Sequence, residues 1–388
     1  LHHLLLFYRD RPSAVVVAHK KFVVARLAEI CLVAAAALLY QTWGSLAIAD
    51  ITDAAHAGPL PASAGIAATL IAIAVVLKSA QLPLHGWLIQ VMEAPTPVSA
   101  LLHAGVVNLG GYVLVRLGAL ISASLPAETV LVLFGSVTAC VAGLVMLTRV
   151  TIKVRLAWST CSQMGFMLME CGLGLYDLAL LHLVAHGLYK AHAFLVSGET
   201  VVDSRKRRII EHDTSRREIR WSSALVALAL TAAIVAGSAL AWRRALQADA
   251  VPAVALALIV FGLAPLLWNG SAGARVRLRA LATVAVLAQL YFIWHSAMGH
   301  LFGVVPAATS GALAACAVLA MATLYVSQWL VWARPDAALI RRAYPWMYSG
   351  LHLDERFHRL VARFWPSQDA AAAMRARGAD PWTALEPK

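Results

Sequence analysis

Charge is what this sequence has least of. Asp, Glu, Lys and Arg make up 13% of its 388 residues, against 61% hydrophobic residues. A soluble domain carries about 25% charged residues, so an ordinary water-facing surface is excluded. Cysteine is sparse and unpatterned: Cys31, Cys140, Cys161, Cys171 and Cys316 show no CxxC spacing. Four of them fall inside apolar segments, where a cysteine behaves as a small apolar residue, so neither a disulfide frame nor a cysteine metal site is expected. A phosphate-cradling glycine loop, a redox-centre ligand set and a nucleophile triad are all missing. These gaps separate a transporter from an ATP-driven pump or a redox enzyme; no catalytic residue, cofactor or metal is expected.

What is there instead is length of apolar chain. Residues 63–77 (SAGIAATLIAIAVVL), 129–147 and 222–241 run without a charge. Lipid offers no partner for backbone polar groups, so such stretches read as membrane-spanning helices. The expected fold is an all-α polytopic bundle of about ten transmembrane helices, at 22–41, 63–88, 97–120, 129–148, 156–173, 178–202, 222–241, 251–268, 280–299 and 307–332. The first residue is Leu1 and no cleavable signal pattern precedes the first span, so an N-terminally truncated piece of a longer protein is expected. The net charge of +12 is sorted by side rather than spread. One alternating set of loops and ends holds 26 of the 32 Lys and Arg, and the other set holds only Arg243 and Arg244. Arg26, Lys78, Arg116 and Lys190 fall within spans. That asymmetry places both visible ends in the cytoplasm. The basic run RKRRIIEHDTSRREIR (205–220) then reads as a topology determinant rather than a docking patch for a partner or anionic lipid.

Four regions follow. Residues 1–202 form an ion-translocating core with ionisable groups inside its spans; 203–221 are a basic cytoplasmic loop; 222–332 are apolar C-terminal helices; 333–388 are a cytoplasmic tail. The tail contains LHLDERFHRLVARFW (351–365), whose Leu353, Phe357, Leu360, Val361 and Phe364 recur at helical spacing. An amphipathic helix on the membrane surface is expected there, with docking on a partner the other reading.

An ionisable group at membrane depth costs roughly 2.5–3.5 kcal/mol on insertion scales, and persists where it faces a bundle interior, water or a partner. In LKSAQLPLHGWL (77–88), Lys78 precedes Pro83, whose missing N–H leaves the Ser79 carbonyl without a helical partner. A lysine beside a broken turn has the access needed to gain and lose a proton. The other reading is a snorkelling lysine, but about ten residues, roughly 15 Å, separate it from the span's end. His85 supports the break. In MEAPTPVSALLHAG (92–105), Pro95 and Pro97 end one helix and start the next, Glu93 lies beside them and His103 enters the third span. His182, His186 and Lys190 recur at i, i+4 and i+8 and share one helix face. The glutamate of HExxH is absent, so a file of titratable groups for stepwise proton relay is expected instead of zinc. Arg26 and Glu29 sit at i, i+3 in the first span, as an internal ion pair or with Glu29 modulating Lys78. Glu93, Glu170 and Glu199 lie near span ends and are weaker candidates.

At these residues a family can be named. KSAQLPLHGWLIQVMEAPTPVSALLHAG (78–105), RVTIKVRLAWSTCSQMGFM (149–167) and LHLVAHGLYKAHAFLVSG (181–198) resemble the antiporter-like subunits: subunit 5 (the L subunit) of respiratory complex I, Mrp antiporters and relatives. The likeness runs from about residue 20 to 202. HAGVVNLGGYVLVRL (103–117), HGLYKAHAFL (186–195), the opening LHHLLLFYRDRP and the closing GLHLDERFHRLVARFWP are more similar to the DabB type, membrane subunits of energy-coupled inorganic carbon complexes. The resemblance implies a bacterial inner-membrane protein that passes H+ or Na+ inward. Its partner would be a large zinc-dependent carbonic-anhydrase-like subunit, DabA, which hydrates CO2; membrane lipid is the other contact, and nucleic acid is not one. Carried over, Lys78 matches the lysine of the broken helix, His103 the histidine of the next, and His182, His186 and Lys190 the relay helix. Glu29 stands where many relatives have an aspartate. Thr151 replaces the family's aspartate, and nothing in 222–332 supplies a second broken helix with a lysine. The exit half of the path is therefore expected to be missing or rerouted. The alternatives are a proton-pumping subunit of NADH-quinone oxidoreductase or a related hydrogenase or Mrp antiporter and, in another class, an inert membrane anchor.

Overall fold

A computed structural model of the chain describes residues 5, 7, 11–90, 95–198, 221–246, 251–268, 273–302 and 310–365. Glu93, Glu199, the basic run 205–220 and the end of the tail lie outside the described residues. Among the described residues every regular element is a helix.

The helices are α1 (Pro12–Trp43), α2 (Ile48–His56), α3 (Ala62–Lys78), α4 (Gly86–Ile89), α5 (Thr96–Ala104), α6 (Leu109–Arg116), α7 (Gly118–Ser122), α8 (Leu125–Leu147), α9 (Ile152–Gly172) and α10 (Tyr176–Leu195). They continue with α11 (Trp221–Leu246), α12 (Ala253–Leu263), α13 (Ala274–Phe302), α14 (Gly311–Ala333), α15 (Ala338–Tyr348) and α16 (Leu353–Phe364). Their ends follow local chemistry. A proline near the N-terminus of α1 loses no hydrogen bond there, and Gly44, in the left-handed conformation at φ 71°, closes the C-terminus by donating to the Tyr40 carbonyl.

Among the described residues seven helical segments are long and apolar enough to cross a membrane: α1, α5 with α6, α8, α10, α11, α13 and α14. The helices α3 and α12 are shorter and apolar. The remaining one, α9, is 21 residues long and carries Lys153, Arg155 and Glu170. Each of the ten expected spans overlaps one of these helices. Packing between them uses small residues, as bilayer helices do when backbones must approach closely. A Cβ on Gly135 of α8 would lie 2.6 Å from the Gly165 carbonyl of α9, and Ser162 on α9 donates to the Ala139 carbonyl at 2.8 Å. One apolar core joins α1, α3 and α5–α9, and a second joins α8–α10 to α12–α14.

Three expectations need correction. Lys20, counted with the opening loop, is fully buried inside α1. Its ammonium donates to both carboxylate oxygens of Asp354 at 2.8 and 2.7 Å and to Gln90 at 3.0 Å, while Gln90 donates to Asp354 at 2.8 Å. A buried ammonium is tolerable only with this full complement of acceptors. Asp354 belongs to the tail helix α16, so that helix docks on the chain's own body rather than lying free on a surface. Docking uses Asp354, Val361 and Trp365, the last stacked on His19 with centroids 4.0 Å apart. Of the apolar stripe, Val361 and Leu353 pack on the body while Leu360 and Phe364 stay exposed, so only part of the stripe is the docking face. Lastly, Arg243 and Arg244, expected in a loop, occupy the last turn of α11.

Candidate functional site

The break beside Lys78 is where the sequence placed it, but its mechanics differ. The helix α3 ends at Lys78, before Pro83 can interrupt it. Ala80 takes φ 52° and the Leu82–Pro83 bond is cis. The Ser79 carbonyl is not orphaned: the Gln81 side chain donates to it at 2.9 Å. The Leu82 amide donates to Thr138 on α8 at 3.2 Å. His85 is buried, 3.2 Å from the Pro83 carbonyl through Nδ1 and with its ring against Trp158. The broken segment is thus stitched to its neighbours by side chains, as backbone at membrane depth must be. Gly110 lets the next span approach it, since a Cβ there would fall 2.2 Å from the Ser79 hydroxyl.

Lys78 itself is partly exposed and lies 3.8 Å from Glu29, which also pairs with Arg26 at 2.5 Å. Lys21 is close enough to interact with Lys78, Arg26 and Glu29. An acidic partner for Lys78 therefore exists within this chain. Pro95 and Pro97 do initiate α5. On it His103 is fully buried, stacked on Phe194 of α10 with centroids 4.5 Å apart, and among the described residues neither ring nitrogen has a hydrogen-bond partner.

On α10 the three expected groups do share a face, and each meets a different neighbour. Lys190 is fully buried, donating to the Leu156 carbonyl at 3.2 Å and to the Ser159 hydroxyl of α9. His186 is 3.2 Å from Asn108 through Nδ1. His182 is 2.9 Å from Glu170, also through Nδ1. The His182 and His186 rings stand 6.1 Å apart, and His103 interacts electrostatically with both His186 and Lys190. The result is a file of titratable groups inside the protein, from Lys190 through His186 to the His182–Glu170 pair. Lys78 and Glu29 lie on other helices, α3 and α1, and among the described residues no direct hydrogen bond or ion pair joins them to the file.

Two members escaped sequence reasoning. Glu170 ranked as a weak candidate because it lies near a span end, yet it is 1% exposed. The signal was available: a carboxylate and a histidine twelve residues apart across a tight α9–α10 connection are brought face to face. Asn108 holds a distortion in the third span, where α5 gives way to the 3-10 turn Val106–Asn108 before α6. Its amide donates to the Ala104 carbonyl at 2.8 Å, which frees its carbonyl oxygen for His186. The glycines of HAGVVNLGG hinted at that irregularity.

A family model described as NADH:quinone oxidoreductase/Mrp antiporter, TM matches residues 1–242. This chain belongs to that family. It is similar to the "Probable inorganic carbon transporter subunit DabB" of Hydrogenovibrio crunogenus, 41% identical over 375 residues, covering 95% of this chain and 70% of that protein. It is also similar to the "Probable inorganic carbon transporter subunit DabB2" of Halothiobacillus neapolitanus, 39% identical over 386 residues, with 97% and 69% covered. To the "NADH-quinone oxidoreductase subunit L" of Mycobacterium tuberculosis the identity is 38% over 205 residues, 51% of this chain and 32% of that protein. As an antiporter-like membrane subunit of this family, the chain is a multi-pass membrane protein.

Proposed function

We propose that this chain is the cation-translocating membrane subunit of an energy-coupled inorganic carbon uptake complex, in a bacterial inner membrane. The observation that carries the reading is the buried file on α10, in which Lys190, His186 and His182 each meet a polar partner on another helix. Buried ionisable groups in a bundle are expensive and mark ion pathways. Imidazoles beside carboxylate and ammonium groups can pass protons stepwise. Lys78, with Glu29 and the stitched break at Ser79–His85, forms the other end of the path, and His103 lies between. The partner is a large zinc-dependent carbonic-anhydrase-like subunit of the DabA type, whose CO2 hydration the ion flux would make directional.

The second reading is a proton-pumping subunit of an NADH-quinone oxidoreductase. The extent of likeness favours the first: the two DabB-named relatives match along 95% and 97% of this chain, the L subunit along 51%. Affinity purification of the full-length protein from its own membrane separates them. A co-purifying carbonic-anhydrase-like zinc protein is expected; co-purifying quinone oxidoreductase subunits would replace the first reading by the second. For conduction, Lys78→Ala and His186→Ala are each expected to abolish growth at low CO2 with the complex assembled. Full growth of both variants would leave only an anchoring role.

A further inference from the structure

The titratable file does not stop at Glu170. Asp177, in the first turn of α10, lies close enough to Glu170 for their charges to interact, and both act on Tyr291 of α13. Asp177 Oδ2 is 2.5 Å from Nδ1 of His295, also on α13. The neighbouring Trp294 donates from its indole to the Asp177 backbone carbonyl at 2.8 Å, fixing α13 against the start of α10. Asp177 and His295 side chains are 11% and 14% exposed, whereas Glu170 is 1% exposed. Exposure therefore falls from His295 through Asp177 to Glu170, while His182, beyond Glu170, is 15% exposed. The side of the membrane also follows. Arg149, Lys153 and Arg155 mark the α8–α9 connection, and Arg275, Arg277 and Arg279 the start of α13. The α9–α10 connection and the far end of α13 lie at the opposite, non-cytoplasmic face.

We infer that Asp177 and His295 form the outer mouth of the proton path, joining it to Glu170 and His182 across the boundary between α10 and the C-terminal helices. The inference rests on the ion-translocation reading above and names the ion on this branch as the proton. A proton taken up on Nε2 of His295 leaves the ring with its Nδ1 proton surrendered to Asp177. The carboxylic acid so formed passes it towards Glu170, which shares it with Nδ1 of His182; the carboxylates return to their starting protonation once the proton has moved on, and His295, left as its Nε2–H tautomer, regains the Nδ1–H form by proton exchange with water or a ring flip. The apolar C-terminal half, which supplies no lysine of its own, thus contributes a histidine.

A staple between α10 and α13 would use the same contacts, so the test must separate tethering from transfer. Full-length protein in its native complex is placed in vesicles with the outer face outward, and proton uptake is read with an internal pH dye. His295→Ala and Asp177→Asn are expected to slow uptake about tenfold with assembly unchanged. External imidazole is expected to restore the His295→Ala rate but not that of Lys190→Met. His295→Gln keeps a hydrogen bond to Asp177 without a titratable ring, so uptake as slow as in His295→Ala supports the relay. Wild-type uptake in His295→Gln, with Lys190→Met inactive, overturns the mouth and leaves the translocation reading standing. Wild-type uptake in Lys190→Met overturns that reading itself. If His295→Ala fails to assemble, the His295→Gln rate decides.

Discussion

The helices up to α10 and the four after it are built for different tasks, although both are apolar outside. In the first set His19, Lys20, His85, His103, Glu128, Glu170, His186 and Lys190 are buried. In α11–α14 the buried polar residues among those described are Thr231 and Ser238. Apart from the Trp294 and His295 contacts to Asp177, the polar side chains there pair within the set: Trp242 donates to Gln289, which donates to Ser238, and Trp268 donates to Tyr325, which donates to the Ala224 carbonyl. Such pairs satisfy packed groups and leave no titratable atom over. The first set instead keeps buried nitrogens on His103 and His186 uncommitted among the described residues. Stability would favour apolar replacements at those positions, so their presence supports the transport role proposed for them.

The contrast can be broken most sharply by paired substitutions. His186→Gln is expected to lower proton flux about 100-fold, equivalent to roughly 3 kcal/mol on the barrier, whereas Gln289→Leu in the C-terminal set is expected to leave flux unchanged. Vesicle assays of both variants check this, and equal losses would erase the distinction. Next in size, Asp354→Ala strands the buried Lys20 ammonium and is expected to destabilise the protein by about 3–5 kcal/mol. Thermal unfolding in detergent measures it, and release of the tail to protease should accompany it. A smaller effect of opposite sign is expected at His103. Replacing it with Leu removes buried unpaired nitrogens that cost about 1–3 kcal/mol, so the variant should melt higher while conducting less.

The smallest expected effect is a pH dependence of tail docking. His358 on α16 is half-buried, and burial together with the nearby Lys20 ammonium holds its pKa below the usual 6.5. The docked form therefore binds its proton less readily than the free tail. Docking should be unchanged above pH 6.5 and weaken as pH falls below it, when the free form gains protons. Limited proteolysis of the tail across pH 5–8 reads this, and His358→Gln should flatten the curve.

Sequence carried the helices and the α10 file because both are local. Apolar runs announce spans, and His182, His186 and Lys190 share a face through helical spacing alone. The Lys20–Asp354 pair was not legible because its members lie 334 residues apart, and no pattern in either helix announces the other. The same holds for Asp177 and His295, 118 residues apart. Asn108 was missed for another reason: an asparagine near glycines reads as a turn former, and only the neighbouring helix turns it into a partner for His186. The break at Lys78 was legible as a place but not as a mechanism, since Pro83 marks it while Gln81 and Thr138 hold it.

Whether the α10 file carries protons is decided by proton flux through Lys190→Met, in the full-length protein assembled in its native complex. Met keeps the length of the side chain and removes its proton, so packing against Leu156 and Ser159 is largely retained. A normally assembled complex whose flux is lost is expected. Wild-type flux in that variant would rule out Lys190 as part of the proton path.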